Sequence, residues 1–381
     1  MKPNFRPNNP RFSSGPCTKR PGWTPDALKD ALIGRSHRSK DAQRVLKEAV
    51  KRTRCVLGLP DDYQVVFTPA SDTGAMEMAM WTMLGERPVD VLVFESFGQG
   101  WAQDVTDHLK LKDARVLAAP YGKLPDLSQV NPEHDLVFPW NGTTSGVCIP
   151  NGDFISEKRE GLVLCDATSA IFSMALPWQK LDAVTYSWQK ALGGEAQHGT
   201  LILSPRAIAR LESYTPPWPV PKIFRLAKKG KVDRALFEGN TLNTPSMLVF
   251  ADYLDALTWA ESAGSAAGLE RRTRANAEKV WAWIARTPWA ENLASDPATR
   301  STTSISITIV DPWFKAKSPE EQWALVKKMT GLLEAENAAF DIANHRDAPP
   351  GLRIWAGATV EESDLEALFP WLEWAFSEIR K

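Results

Sequence analysis

Between residues 65 and 203 the chain alternates short apolar runs with helix-length spacers, and no other feature limits its fold as strongly. The runs cover residues 65–67, 89–94, 116–118, 136–138, 162–165, 183–188 and 200–203, each of strand length. Helical patterns at 74–84 and 100–109 fall between them. Parallel neighbours need a crossover, so this rhythm predicts an α/β domain on a mostly parallel, seven-stranded type of sheet. Such sheets take ligands at the carboxyl ends of their strands. Residues just after a strand are therefore the candidates for chemistry.

The remaining segments predict a second, smaller unit. A long helical pattern runs over 245–286, with Gly264 and Gly268 as breaks, and residues 304–310 alternate strictly, as a half-buried strand does. Helices near 319–336 and 361–380 surround a strand at 353–355, giving an α+β C-terminal domain. Residues 1–25, rich in Pro, Asn and Ser, read as an extended arm rather than a packed element, and 26–57 as helical around a basic turn at 34–39. The expected division is an arm (1–16), a large domain (17–260) and a small domain (261–381).

With 381 residues, 43% of them hydrophobic and 24% charged, the composition is that of an ordinary globular chain. A net charge of −1 gives no electrostatic reason to expect nucleic acid or a membrane surface as partner. The start, Met1 to Pro7, lacks the apolar stretch of a secretory signal, and no run of about 18 apolar residues predicts a membrane span. Four cysteines without C-x-x-C spacing read as reduced thiols of a cytoplasmic protein, and no metal is expected.

Two strand ends carry reactive groups. The 162–165 run leads into Asp166, and the 183–188 run leads through Gln189 into Lys190, a separation of 190 − 166 = 24 residues, enough for one crossover. An amine and an acid at adjacent strand ends fit the two needs of pyridoxal phosphate, a lysine for the aldehyde and a carboxylate for the ring nitrogen. A plain salt bridge at the sheet edge is the competing reading. Small residues after the lysine, Ala191 to Gly194, leave room for a ring.

Other strand ends add to the pattern. The turn from Thr68 to Gly74 opens a helix, where backbone N–H groups and the hydroxyls of Ser71 and Thr73 suit an anion. Asp72 counts against an anion there unless its carboxylate turns away, and a simple cap by Ser71 or Asp72 is the alternative. Trp101 follows the 89–94 strand and offers a flat face for a cofactor ring, although most of the sixteen tryptophans should be packing residues. Thr143 lies in the hydroxyl-rich turn from Asn141 to Gly146, which is otherwise an ordinary turn. Asn243-Thr244-Pro245 reads as a helix start, with Thr244 as cap and Pro245 at the first position. His37-Arg38 and His345-Arg346 could be solvated pairs or an anion clamp.

The Asp166 to Ala170 and Ser187 to Gly194 segments together resemble the fold-type I, class V aminotransferases. Nearly the whole chain is similar to one family among them, the phosphoserine aminotransferases. Phe12 to Pro16 resembles that family's F-S-x-G-P segment, Ser36-His37-Arg38 its S-H-R motif, Asn243-Thr244-Pro245 its N-T-P motif, and His345-Arg346 with Arg353 its H-R…R pattern. The resemblance implies a fold-type I homodimer with sites shared between subunits, and pyridoxal 5′-phosphate as cofactor. It implies that Lys190 binds the cofactor aldehyde and shuttles a proton, that Asp166 keeps the ring nitrogen protonated, and that Trp101 stacks on the ring. Thr143 would lie at its phenolic oxygen, and Asp72, Thr73 and Gln189 at its phosphate, with Asn243 and Thr244 of the second subunit. Arg353 would clamp the substrate α-carboxylate. His37, Arg38, His345 and Arg346 would recognise the substrate phosphate or the glutamate side chain, the last two reaching from the other subunit.

The implied reaction moves an amino group between glutamate and 3-phosphohydroxypyruvate in serine biosynthesis, and a phosphorylated hydroxythreonine of vitamin B6 synthesis is a further expected substrate. Another class V transaminase, acting on alanine or serine with glyoxylate, is the rival; it has no need for the four basic side chains. Three departures mark a divergent branch. The phosphate turn holds Asp72 where the family pattern is glycine-rich with a basic residue. Ser187-Trp188-Gln189 replaces small residues before the lysine, and Pro349-Pro350 stands in a slightly longer stretch before Arg353.

Overall fold

A computed structural model describes residues 2–381. All seven apolar runs form strands of one sheet: β1 (Gln64–Pro69), β2 (Val89–Val93), β3 (Ala114–Ala118), β4 (Asp135–Pro139), β5 (Val163–Asp166), β6 (Ala183–Ser187) and β7 (His198–Leu203). Their spatial order is β1-β7-β6-β5-β4-β2-β3. Only β7 runs against its neighbours, pairing antiparallel with β1 and β6, while every other pair is parallel. Strands β2, β4 and β6 are buried at every position, which is why they read as continuous apolar runs rather than alternating ones. Val116 of β3 is exposed because that strand is the sheet edge.

Helices α1 (Lys40–Leu57), α2 (Ser71–Met83), α3 (Ser96–Gln103) and α4 (Pro205–Ser213) accompany this sheet. The Ser39 hydroxyl caps α1 by accepting from the Ala42 N–H, and Gly58 ends it in the left-handed conformation. The helical stretch expected before the basic turn is reduced to one 3₁₀ turn, Pro25–Leu28, with no buried residue. Too little apolar surface is covered there to hold a longer helix.

The long pattern at 245–286 is two helices, α5 (Met247–Ser262) and α6 (Ser265–Arg286), parted at Gly264 with φ 94°. Gly268 does not break the second; it sits inside α6, where a Cβ would overlap the Ala263 carbonyl. The start of α5 also departs from expectation. Ser246, not Thr244, is the cap, accepting from the Val249 N–H, so Pro245 precedes the helix. A second, antiparallel sheet joins β8 (Ala290–Asn292), β9 (Ser304–Ile309) and β10 (Gly351–Trp355), with α7 (Pro319–Ala335) and α8 (Glu362–Ile379) beside it.

The N-terminal arm is extended as expected, but it is packed. Phe12 is fully buried, its carbonyl accepts from Trp355 N–H at 3.0 Å, and the Pro10 carbonyl accepts from Phe340 N–H at 2.8 Å. Cys17 N–H then donates to the Gln189 carbonyl at 2.8 Å. The segment therefore spans from the smaller sheet to the loop that carries Lys190. Its prolines forbid a helix but not this strand-like course.

Candidate active site

Five strand ends of the large sheet converge on one cavity of about 300 Å³. Asp166 ends β5; Ser187 ends β6, with Gln189 and Lys190 just beyond; Ser71, Asp72 and Thr73 open α2 after β1. Glu95, Phe97 and Trp101 follow β2, and Asn141 and Thr143 follow β4. Gly15 and Pro16 of the arm close the wall. A side chain at Gly15 would overlap the Lys190 amine, so the close passage of the arm requires glycine there.

Lys190 is 8% exposed, and burial lowers its pKa below the ordinary lysine value. Its Nζ donates to the Ser14 carbonyl. Asp166 is 7% exposed and held from two sides: Thr168 N–H donates to Oδ1 at 3.0 Å, and the Trp101 indole N–H donates to Oδ2 at 3.2 Å. Behind them Trp188 points into the core, stacked on Tyr253 with centroids 3.9 Å apart, its N–H given to Thr200 Oγ1 at 2.9 Å. The bulky residue before Gln189 thus takes no cavity space, because alternate strand residues face opposite sides.

The α2 turn is strained in a way that suits a ligand. Ala70 and Ser71 both have positive φ, 63° and 56°, which costs energy for residues other than glycine. Ala70 is the helix cap and no side chain caps it, so the expected cap by Ser71 or Asp72 is not formed. The N–H groups of Asp72 and Thr73 open the helix toward the cavity without helical partners. Gly199 makes this turn fit against β7, since a Cβ there would overlap the Ser71 carbonyl.

Arg353, on β10, reaches the same place from the smaller sheet. Its Nη1 donates to the Thr143 carbonyl at 3.2 Å, while its buried Nε has no partner. Thr143 donates from Oγ1 to Ser169 Oγ at 2.8 Å. The cavity therefore gathers Lys190, Asp166, Asp72, Thr73, Gln189, Trp101 and Thr143, with Arg353 at its Thr143 side.

Six predicted residues lie elsewhere on this chain. His37 is half-buried and Arg38 exposed, on the turn before α1. Asn243 is half-buried and Thr244 exposed, before α5. His345 is bonded to Ser96 Oγ of its own chain, Nδ1 to Oγ 3.3 Å, beside Asp347, and Arg346 points to solvent. Buried His198 adjoins the start of α5: its Nε2 accepts from the Ser246 N–H at 3.2 Å, and burial pushes its pKa down to about 4.

Glu95 is the cavity residue that sequence reasoning missed. It is 3% exposed, caps α3 by accepting from the Gly98 N–H at 2.7 Å, and accepts from Thr144 Oγ1 at 2.9 Å. Burial pushes its pKa up to about 7. The available signal was a carboxylate directly after the 89–94 run, three residues before a glycine.

The residues present fit pyridoxal phosphate. A buried amine, a carboxylate held for a protonated ring nitrogen, and an anion-ready helix start share one cavity. The Thr168, Ser187 and Gln189 side chains there have buried oxygens with no protein partner.

Comparisons with known proteins decide the family. The aminotransferase class-V model matches residues 30–322. A phosphoserine aminotransferase of Methanosarcina barkeri is 57% identical over 380 residues, covering 100% of both chains. The chain belongs to the phosphoserine aminotransferase family, within class V. As such it is an aminotransferase that works with pyridoxal phosphate. Its fold matches a crystal structure of a phosphoserine aminotransferase from Cytophaga hutchinsonii, with TM-score 0.81, 22% identity and coverage of 96% of this chain and 98% of that one. A phosphoserine aminotransferase from Trichomonas vaginalis, solved with pyridoxal phosphate bound, gives TM-score 0.76 at 18% identity, covering 97% and 100%. At those identities the likeness is one of fold.

Proposed function

We propose that the chain exchanges an amino group between L-glutamate and 3-phosphohydroxypyruvate, giving 2-oxoglutarate and O-phospho-L-serine. The full-length likeness to the Methanosarcina enzyme supports this reading most. A phosphorylated hydroxythreonine, as in vitamin B6 synthesis, carries the same carboxylate and phosphate and would be accepted too.

Bound pyridoxal phosphate supplies an aldehyde that takes up the amino group and a ring that accepts the electron pair left at the substrate α-carbon. Lys190, whose pKa burial lowers, would hold the aldehyde at rest and then carry the proton off the α-carbon. Asp166 would hold a proton at the ring nitrogen, and its bond to Trp101 would keep that indole where it could stack on the ring. The Asp72 and Thr73 N–H groups, with the Ser71, Thr73 and Gln189 side chains, hold the phosphate. Arg353 takes the substrate α-carboxylate in its planar fork, and Thr143 lies at the phenolic oxygen. The family resemblance implies these assignments, and the shared cavity of Lys190, Asp166, Asp72, Thr73, Gln189, Trp101 and Thr143 supports them.

The resemblance implies that His345 and Arg346 reach from the other subunit. Because His345 bonds Ser96 of its own chain and His37 and Arg38 do not line the cavity, we infer instead a homodimer in which His37, Arg38, Asn243 and Thr244 complete the site of the second subunit. Large apolar side chains stand exposed near these motifs, Ile33 at 71% and Leu248 at 41%, as a surface covered by another copy would have. His345 and Arg346 would supply the phosphate-binding charge with Arg38. We propose an arm at 1–16, a large domain at 17–260 and a small domain at 261–381. Four unpaired cysteines suit the reducing cytoplasm; among the described residues no helix is long and apolar enough to cross a membrane.

Spectral conversion of the bound cofactor by single amino acids tests the assignment. Phosphoserine and glutamate should convert it at least tenfold more efficiently than serine or alanine. Equal or better conversion by alanine or serine would favour a glyoxylate-type transaminase.

A further inference from the structure

Asp72 poses a problem for the site just described. It occupies the first turn of α2, beside the place proposed for a phosphate dianion, where an ionised carboxylate would repel the ligand. Yet it is 6% exposed and its Oδ1 has no partner. Its carboxyl does not turn out to solvent. It lines the same cavity as the carboxylate of Asp166.

The two carboxylates are not equivalent. Asp166 receives N–H donors on both oxygens, from Thr168 and Trp101. Asp72 Oδ1 is buried and receives no donor. When two buried carboxyls share a site, a proton remains on one of them, and it stays where fewer donors stabilise the charge. That one is Asp72. Burial, followed by the Asp166 charge, also moves the Asp72 pKa well above the carboxylate range.

We propose that Asp72 is a positioning residue, held as a neutral carboxylic acid that donates a hydrogen bond to Asp166 and fixes that carboxylate toward the ring nitrogen. The acid proton removes the conflict with a phosphate at the same turn and gives Asp166 a third donor, while the Asp72 N–H stays available to the anion. The inference rests on the cofactor placement above. The titratable groups facing this pair are Cys165 on β5, Glu95 after β2, and Lys190.

Two variants separate the charge from the donor. Asp72→Asn is neutral at every pH and still offers an N–H donor; Asp72→Ala is neutral and offers none. Pyridoxal-phosphate dissociation constants, followed by absorbance, should agree within about threefold for Asp72→Asn and wild type at pH 7.5. Asp72→Ala should bind at least tenfold more weakly, with the pH midpoint of the bound cofactor's visible band shifted. Tenfold tighter binding by Asp72→Asn would mean that Asp72 is ionised, and would overturn the proposal. So would equal affinity and an equal band midpoint in the two variants.

Infrared spectra of the cofactor-free protein at pH 8 give a readout without any ligand. A carboxylic-acid carbonyl band should be present in wild type and absent from Asp72→Asn. If Asp72→Asn does not fold, the wild-type band must still persist at pH 8 and survive in Glu95→Gln; its absence would refute the proposal. A protein that fails to bind pyridoxal phosphate but shows the band would count against the cofactor reading and leave the acid pair standing.

Discussion

Glu95 shows how burial sets chemistry one residue at a time. Its side chain is satisfied by the Gly98 N–H and the Thr144 hydroxyl, yet loss of water moves its pKa from 4.5 to about 7. A carboxyl whose folded pKa is raised binds more protons folded than unfolded between those two values. Its contribution to stability is therefore favourable at the acid end, declines as pH rises from about 4.5 to about 7, and is gone above that. The full swing is on the order of 3 kcal/mol. Glu95→Gln keeps an acceptor for Gly98 but cannot ionise. Thermal unfolding of the cofactor-free variant should show a shallower decline in Tm between pH 5 and 7 than wild type, the remainder coming from other buried acids such as Asp72. A variant that declines as steeply as wild type would contradict the assignment.

At the scale of elements, the sequence was most legible where one physical rule acted alone. Doubly covered strands must be apolar on both faces, so the buried strands of the large sheet could be read from their runs, and even the exposed edge strand β3 kept a short apolar stretch. The break at Gly264 was legible for the same kind of reason, since a left-handed φ of 94° favours glycine. Elements whose form depends on distant partners were not legible. The arm is buried because β10 and the 338–340 stretch supply hydrogen-bond partners more than 300 residues away. The α2 turn carries positive φ at Ala70 and Ser71, neither of them glycine; what holds it is Gly199 of β7 packed under the Ser71 carbonyl. The cap of α5 fell on Ser246 because His198 takes the Ser246 N–H, a contact that local capping rules do not contain. In the site, Lys190 and Asp166 were legible because strand ends place them. Glu95 was not, since a lone carboxylate after a strand has the same appearance as a solvated one.

The whole molecule is built so that the smaller sheet sets Arg353 beside a cavity lined by the large sheet and the arm. The large sheet contributes the amine, the acid and the anion turn; the smaller one contributes Arg353 through β10. The motifs left outside the cavity, at His37-Arg38 and Asn243-Thr244, acquire a role only if a second copy faces them. Mixed dimers test that arrangement. Lys190→Ala and Arg38→Ala subunits, each weakly active alone, should regain about a quarter of wild-type activity when unfolded together and refolded as an equal mixture, because half of the dimers would then hold one intact site. No recovery in a mixture shown by size to contain hybrid dimers would exclude shared sites. The central claim is that the Lys190 amine holds the cofactor opposite Asp166, and borohydride reduction of the loaded enzyme tests it most directly. Peptide mass spectrometry should find the reduced cofactor attached to Lys190 and to no other lysine. Attachment at a different lysine, or none while the protein is yellow before reduction, would contradict it.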